Sequence, residues 1–337
     1  METLREASLY RPRNGLLECL VCERRCRIPP GKRGYCRTRA NRDGKLYTLV
    51  YGDISAMESR PIEIKPFFHF YPGSSAMTFS TWGCNMACPW CQNWHLSRRA
   101  AEPARANYVS PGSMVEAAIR GGDRGVCASF QEPTLLFEYL LDVFKLSREK
   151  GLYSCAVSNG YMTEKALEKL GEAGMDAIKI DIKGDAEVYK KHLGGLDAGV
   201  VWRNAEKARD MGLHVEMVNL IVTGVNDSPE QIRGLVVEHL ERLGPWVPLH
   251  FTRYFPAYRF TASPTKVSVL EKAYTTAREM GVQYPYVGNL PGHRYENTYC
   301  HGCGKLLIER EGYRLKRYKV THEKKCPFCG AEIPLVA

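Results

Sequence analysis

Nowhere in the 337 residues is there a run approaching 18 consecutive apolar side chains, about the minimum that spans a bilayer as a helix. No transmembrane segment is expected, therefore. The opening METLREASLY also lacks the apolar core of a secretory leader, which makes the cytoplasm the expected compartment. Low-complexity segments and tandem repeats are absent too. Acidic residues are in short supply, 37 against 47 lysines and arginines, a formal charge of +10. Such an excess suits nucleic acid or a phosphorylated substrate, and equally a merely solvated basic surface.

Cysteine, by contrast, is abundant. Eleven of the 13 fall into three local clusters rather than being spread as a disulfide framework would be, so metal sites are the better reading. The first cluster is Cys19, Cys22, Cys26 and Cys36, around the turn-rich Pro29-Pro30-Gly31. Four thiolates on so short a piece make a complete ligand set, and a bound metal would supply stability that its small apolar surface does not. Zinc is the first reading there, a second iron–sulfur cluster the rival and four free thiols the last. The last cluster pairs Cys300-His301-Gly302-Cys303 with Cys326-Pro327-Phe328-Cys329 across a β-rich stretch of 22 residues. Two such knuckles, each followed by glycine, form a zinc-ribbon pattern, with His301 and His322 read as surface residues.

The central cluster differs. Cys84, Cys88 and Cys91 follow an apolar strand-like run, with Trp90 directly before the third. Three protein thiolates leave one iron of a [4Fe-4S] cluster open to a small molecule. A gap of three residues between Cys84 and Cys88 suits a tight zinc turn less well.

Past Tyr71 the pattern alternates. Strands are expected at Ala76–Thr81, Val126–Phe130, Tyr153–Val157, Ala177–Ile180, His214–Val222, Pro248–Arg253 and Val282–Val287. Between them, helical patterns lie near Met114–Arg120, Leu135–Lys150, Glu164–Ala173, Asn204–Met211, Pro229–Leu243 and Val267–Met280. Strand–helix alternation argues an α/β fold with a parallel sheet, here a partial (β/α)6 barrel whose reacting groups sit at the strands' C-terminal ends. Residues 1–75 would form an N-terminal appendage with short extended segments between Leu46 and Tyr71, 76–290 the barrel and 291–337 the ribbon.

The three-cysteine spacing with its aromatic resembles the radical S-adenosylmethionine (radical SAM) superfamily. Gln131-Glu132-Pro133 resembles that superfamily's Gly-Gly-Glu-Pro motif, with Gln131 departing from glycine. Ser158-Asn159-Gly160 and Asp181-Ile182-Lys183 resemble the Thr-Asn-Gly and Asp-x-Lys elements of enzymes that activate glycyl-radical proteins, and Pro248-Leu249-His250 their Pro-Tyr-His. Val157 stands where those enzymes carry an aspartate, which leaves their monovalent-cation site in question. Asp181 and Lys183 could also simply pair at a barrel mouth, and Glu216 and Asn219, polar in an otherwise apolar run, either make satisfied core hydrogen bonds or line a cavity. With Arg253-Tyr254-Phe255-Pro256 and the run Val287 to Cys300, the whole chain resembles the AmmeMemoRadiSam-system radical SAM family, often labelled pyruvate formate-lyase activating enzyme-like.

That resemblance implies an oxidoreductase-type enzyme in which Cys84, Cys88 and Cys91 hold a [4Fe-4S] cluster and Glu132, Asn159, Asp181, Lys183 and His250 contact S-adenosylmethionine. Reductive cleavage would give a 5′-deoxyadenosyl radical that takes hydrogen from a protein substrate, as an activase does. The implied partners are Memo-like and AMMECR-like proteins and a low-potential donor such as ferredoxin or flavodoxin. Radical modification of RNA or a small molecule is the other enzymatic reading, and a metal-stapled scaffold the non-enzymatic one.

Overall fold

In the computed structural model, which describes residues 2–337, the chain forms two compact units. The first comprises residues up to Arg60, Ser75–Ile178 and Asp210–Leu213, and the second Pro61–Ser74, Lys179–Arg209 and His214–Ala337.

In the first unit, β1 (Ala56–Pro61), β2 (Ser75–Ser80), β3 (Gly125–Ala128) and β4 (Tyr153–Ser158) are hydrogen bonded in that order. β2, β3 and β4 run parallel, with Ala76 opposite Gly125 and Gly125 opposite Tyr153. The same register sets Cys127 beside Cys155. Both are buried, the two cysteines outside the clusters. Helices α1 (Pro111–Arg120) and α2 (Phe137–Glu149) link β2 to β3 and β3 to β4, and α3 (Glu164–Ala173) follows β4. Their ends follow local chemistry. Ser110 caps α1 by accepting from Ser113 N, with Pro111 at the first helical position, where its missing N–H costs nothing. Thr163 caps α3 through Ala166 N, and Gly174 ends it in the left-handed conformation.

The N-terminal segment of this unit folds as two small three-stranded sheets, one from Tyr10–Arg13, Leu16–Cys19 and Arg27–Ile28, the other from Arg5–Glu6, Lys45–Thr48 and Arg39–Arg42. A buried bidentate pair fixes it to α2. Arg39 donates to both oxygens of Glu138 at 2.9 and 2.8 Å.

The second unit continues the alternation with β5 (Ala177–Asp181, its last three residues here), β6 (His214–Ile221), β7 (Leu249–Arg253) and β8 (Pro285–Gly288), again neighbours in chain order. β6, β7 and β8 are parallel, aligning Val218, His250 and Tyr286. Helices α4 (Ala198–Asp210), α5 (Pro229–Leu243) and α6 (Val267–Met280) accompany them. Ser228 and Gln231 form a reciprocal capping box at α5. The C-terminal segment is a hairpin, Leu306–Glu311 against Arg314–Tyr318, with Thr298–Tyr299 on its edge. It packs its Leu307, Ile308 and Val320 on Tyr284, Tyr286 and Phe68.

The α/β architecture with parallel strands is as expected. Three details differ. α4 begins six residues before the expected Asn204, and a short helix, Ala186–His192, was not expected at all. Ile62-Glu63-Ile64 is a 3-10 turn rather than extended, because the buried Glu63 carboxylate turns back to accept from Gly73 N at 2.7 Å. Among the described residues, no helix is long and apolar enough to cross a membrane.

Candidate active site

The loop after β2 carries Cys84, Cys88 and Cys91, and in the first unit Glu132 and Asn159 converge on it. Glu132 follows β3 and is 2 % exposed. Its Oε1 accepts from Thr134 N at 3.1 Å, from Ser158 Oγ at 2.9 Å and from the Thr134 hydroxyl, while Oε2 accepts from Asn159 N at 2.8 Å. Burial raises the Glu132 carboxyl above its ordinary range against the opposing pull of these donors. Asn159 in turn donates through Nδ2 to Asn85 Oδ1 at 2.7 Å, with the Cys84 sulfur 3.9 Å from the same nitrogen. Its Oδ1 accepts from Tyr161 N at 3.0 Å, fixing the turn after β4. A continuous chain of hydrogen bonds thus runs from the Glu-Pro turn to the first cysteine.

The cysteine loop has further supports. Met86 N lies 3.4 Å from the Cys84 sulfur, and Ser97 Oγ lies 3.3 Å from that of Cys91. Arg24 and Arg98 donate to the carbonyls of Asn85 and Met86. Asn93 donates to the Phe130 carbonyl at 2.6 Å. Burial pushes the Cys84 thiol up to about 12, the nearby Glu132 adding to it, so ionisation there requires a bound cation. The residues fit an iron–sulfur cluster in chemistry. Beside Cys84 lies an empty space of about 660 Å³, open in part to solvent and lined also by Arg98 and Arg99, and cationic walls suit an anionic cluster.

Sequence reasoning passed over two members of this site. Asn85, fully buried, is the bridge between Asn159 and the cysteine loop. Phe130 adopts a φ of +70°, a left-handed conformation that is costly for a bulky side chain. It stands two residues before Glu132, where the Gly-Gly-Glu-Pro pattern has glycine, so the backbone keeps a glycine-like turn without the residue that would announce it.

In the second unit, Asp181 sits between two lysines, accepting from Lys183 at 3.2 Å and from Lys179, itself 4 % exposed. Burial works to raise the Asp181 carboxyl, but the two ammonium charges outweigh it and hold it below its ordinary value. Residues 179 and 181 share one face of β5, and Lys183 follows two residues past its end. His250 is not part of this group. Its Nε2 lies 2.7 Å from Glu216 Oε2, and since a carboxylate only accepts, Nε2 carries the proton and Nδ1 the lone pair. Glu216 also accepts from the backbone N–H groups of Phe68 and His69, both at 2.8 Å, and from His214 at 3.0 Å. Burial opposes ionisation of Glu216, but His214 and His250 outweigh it and keep the carboxyl far below its ordinary value. Burial lowers His250 and leaves it neutral despite Glu216. Of the two readings of Glu216 and Asn219, the hydrogen-bonded one is present: Asn219 donates to the Ile182 carbonyl at 2.9 Å.

The ribbon cysteines form a different kind of site. The sulfurs of Cys300, Cys303, Cys326 and Cys329 all lie within 4.8 Å of one another, with Cys300–Cys329 at 3.6 Å and Cys303–Cys326 at 3.7 Å. Four thiolates at a Zn–S distance of about 2.3 Å stand about 3.8 Å apart in a tetrahedron. Gly304 and Gly330, at φ +69° and +77°, let each knuckle fold back so that their N–H groups reach the carbonyls of Cys300 and Cys326, both at 2.9 Å.

The radical SAM superfamily model matches residues 79–238. Uncharacterized protein MJ0808 of Methanocaldococcus jannaschii is 38% identical over 336 residues, 99% of this chain and all of that one. The pyruvate formate-lyase-activating enzyme of Streptococcus mutans is 27% identical over 267 residues, 74% of this chain and 90% of its own. Among solved structures, a radical SAM methyltransferase from Sphaerobacter thermophilus superposes with a TM-score of 0.51 at 15% identity, over 70% of this chain and 71% of that one; this likeness is one of fold. With its three-cysteine loop tied to Glu132 and Asn159, the chain belongs to the radical SAM superfamily.

Proposed function

We propose that this enzyme cleaves S-adenosylmethionine reductively and uses the radical formed to take a hydrogen atom from a protein, the outcome typical of an activase. The observation that carries the reading is the buried path from Glu132 through Asn159 and Asn85 to Cys84. It couples the turn that would receive the cofactor's amino group to the cluster loop. Cys84, Cys88 and Cys91 would hold a [4Fe-4S] cluster, which when bound supplies the electron that splits the cofactor into methionine and a 5′-deoxyadenosyl radical.

The chain's own residues position and exclude. Both Glu132 oxygens are engaged by main-chain and hydroxyl donors, so its task is to hold the Ser158–Asn159 turn, while neighbouring carbonyls take the ammonium group. Lys183, beside Asp181, is assigned to the cofactor carboxylate. Neutral His250, held by Glu216 at Nε2, offers the Nδ1 lone pair to an adenosyl hydrogen-bond donor. Zinc is assigned to the ribbon quartet, whose sulfur spacing suits one ion.

The test is isotopic. The reconstituted, reduced enzyme is incubated with S-adenosylmethionine and a deuterated cell extract separated into protein, RNA and small-molecule fractions, and with deuterated Memo-like and AMMECR-like proteins. Deuterium in 5′-deoxyadenosine from a protein fraction is expected. Deuterium arriving only from RNA or small molecules would overturn the activase-like reading and leave the cleavage chemistry intact.

A further inference from the structure

The N-terminal cysteines are as numerous as those of the ribbon, yet their sulfurs stand differently. Among the described residues, the ribbon quartet is the one group of three or more metal-ligating side chains whose ligand atoms all lie within 4.8 Å. Cys19, Cys22, Cys26 and Cys36 form no such group, and neither do Cys84, Cys88 and Cys91. The four N-terminal cysteines instead line a pocket, open in part to solvent, to which Arg39 and Asn85 also contribute. Thiolates around a four-iron core stand farther apart than thiolates around one ion, because the iron and sulfide lie between them. In forming no such compact group, the N-terminal set is like the radical SAM cysteines and unlike the ribbon.

The surroundings agree. Beyond the cysteines, Arg24, Arg39, Asn85 and Thr134 are the polar members of the walls, and Val21, Ile28 and Leu135 the apolar ones. A soft, anionic cluster suits two arginines among apolar side chains. Thr38 Oγ1 lies 3.1 Å from the Cys36 sulfur, a hydroxyl placed to donate to a bound thiolate. The site also backs onto the radical SAM loop. A Cβ on Gly83 would come within 2.6 Å of the Cys36 carbonyl, and Asn85, which lines the cavity, directly follows Cys84.

We propose that Cys19, Cys22, Cys26 and Cys36 bind a second, fully coordinated [4Fe-4S] cluster adjacent to the radical SAM loop, rather than zinc. With four protein thiolates and no open iron, this cluster does not take S-adenosylmethionine.

The test is metal counting and spectroscopy on the full chain after anaerobic reconstitution with iron and sulfide in the presence of zinc. The wild type is expected to carry about eight iron and about one zinc. The Cys84→Ala/Cys88→Ala/Cys91→Ala variant should keep about four iron and four sulfide, with a reduced-state EPR spectrum that S-adenosylmethionine leaves unchanged. Wild type with about four iron and two zinc, or a folded triple variant that binds zinc and no iron, would overturn the proposal. If the triple variant fails to fold, the wild-type count and the Cys22→Ala/Cys26→Ala variant, expected to lose half its iron, decide. None of these readouts depends on cofactor cleavage, so failure of the proposed function and failure of this site are distinguishable.

Discussion

Glu132→Gln isolates the role of one carboxylate without changing its shape. In the wild type two backbone N–H groups, those of Thr134 and Asn159, end on different oxygens of Glu132, at 3.1 and 2.8 Å. An amide has one accepting oxygen. Whichever way the glutamine is turned, its NH2 group must face one of those two N–H groups, whereas the Ser158 and Thr134 hydroxyls can rotate to accept. One buried backbone donor is therefore left unsatisfied, at a cost of about 1–3 kcal/mol. Taking ~2 kcal/mol, and roughly 2–4 °C per kcal/mol for a unit of this size, the unfolding midpoint should fall by about 4–8 °C. If the displaced donor is Asn159 N, the Asn159–Asn85 bond loosens as well, and S-adenosylmethionine affinity should drop by up to about 30-fold, the equivalent of ~2 kcal/mol. Scanning calorimetry of the apo protein and equilibrium dialysis of the reconstituted protein measure the two effects. A variant with unchanged midpoint and unchanged affinity would refute the argument that Glu132 organises the turn.

Three other outcomes are expected. Glu138→Gln leaves the buried Arg39 charge without its bidentate partner, which should cost about 3–5 kcal/mol in denaturant unfolding, while Arg39→Met combined with Glu138→Gln recovers much of that loss. Because Lys179 and Lys183 hold Asp181 below its ordinary value, its ionised form contributes stability above the unfolded-chain pKa that is lost as pH falls through the lowered folded one. Lys179→Met should therefore flatten acid unfolding below about pH 4, and an unchanged acid limb would count against the pairing. Cys303→Ser should release about one zinc per chain and expose the ribbon to protease, while the iron content stays as in the wild type.

The parts of the fold that local chemistry writes were legible. The bounds Glu164–Ala173 and Pro229–Leu243 could be read because Thr163, Gly174 and Ser228 mark them. α4 was read short because its first turns, Ala198-Gly199-Val200-Val201, contain glycine and β-branched residues of low helix propensity, which burial of Val201 and Trp202 overrides. Cys84, Glu132 and Asn159 were each identifiable from their motifs, and so was the Asp181–Lys183 pair. Asn85 was not, since its role comes from a contact 74 positions away, and Phe130 hides a glycine-like backbone behind an aromatic side chain. The spacing of Cys19, Cys22, Cys26 and Cys36 left zinc and an iron–sulfur cluster both open, whereas that of the ribbon pointed to zinc. In the fold the ribbon sulfurs gather within 4.8 Å of one another, while the N-terminal cysteines line a pocket, a difference that arises only after the chain folds.

The central claim is tested most directly by anaerobic reconstitution, reduction with dithionite in the presence of S-adenosylmethionine, and chromatographic measurement of 5′-deoxyadenosine, with Cys84→Ala alongside. The account predicts 5′-deoxyadenosine from the wild type and none above background from the variant. Methylthioadenosine in its place, or no cleavage by wild-type protein that is fully loaded with iron and binds the cofactor, would contradict it.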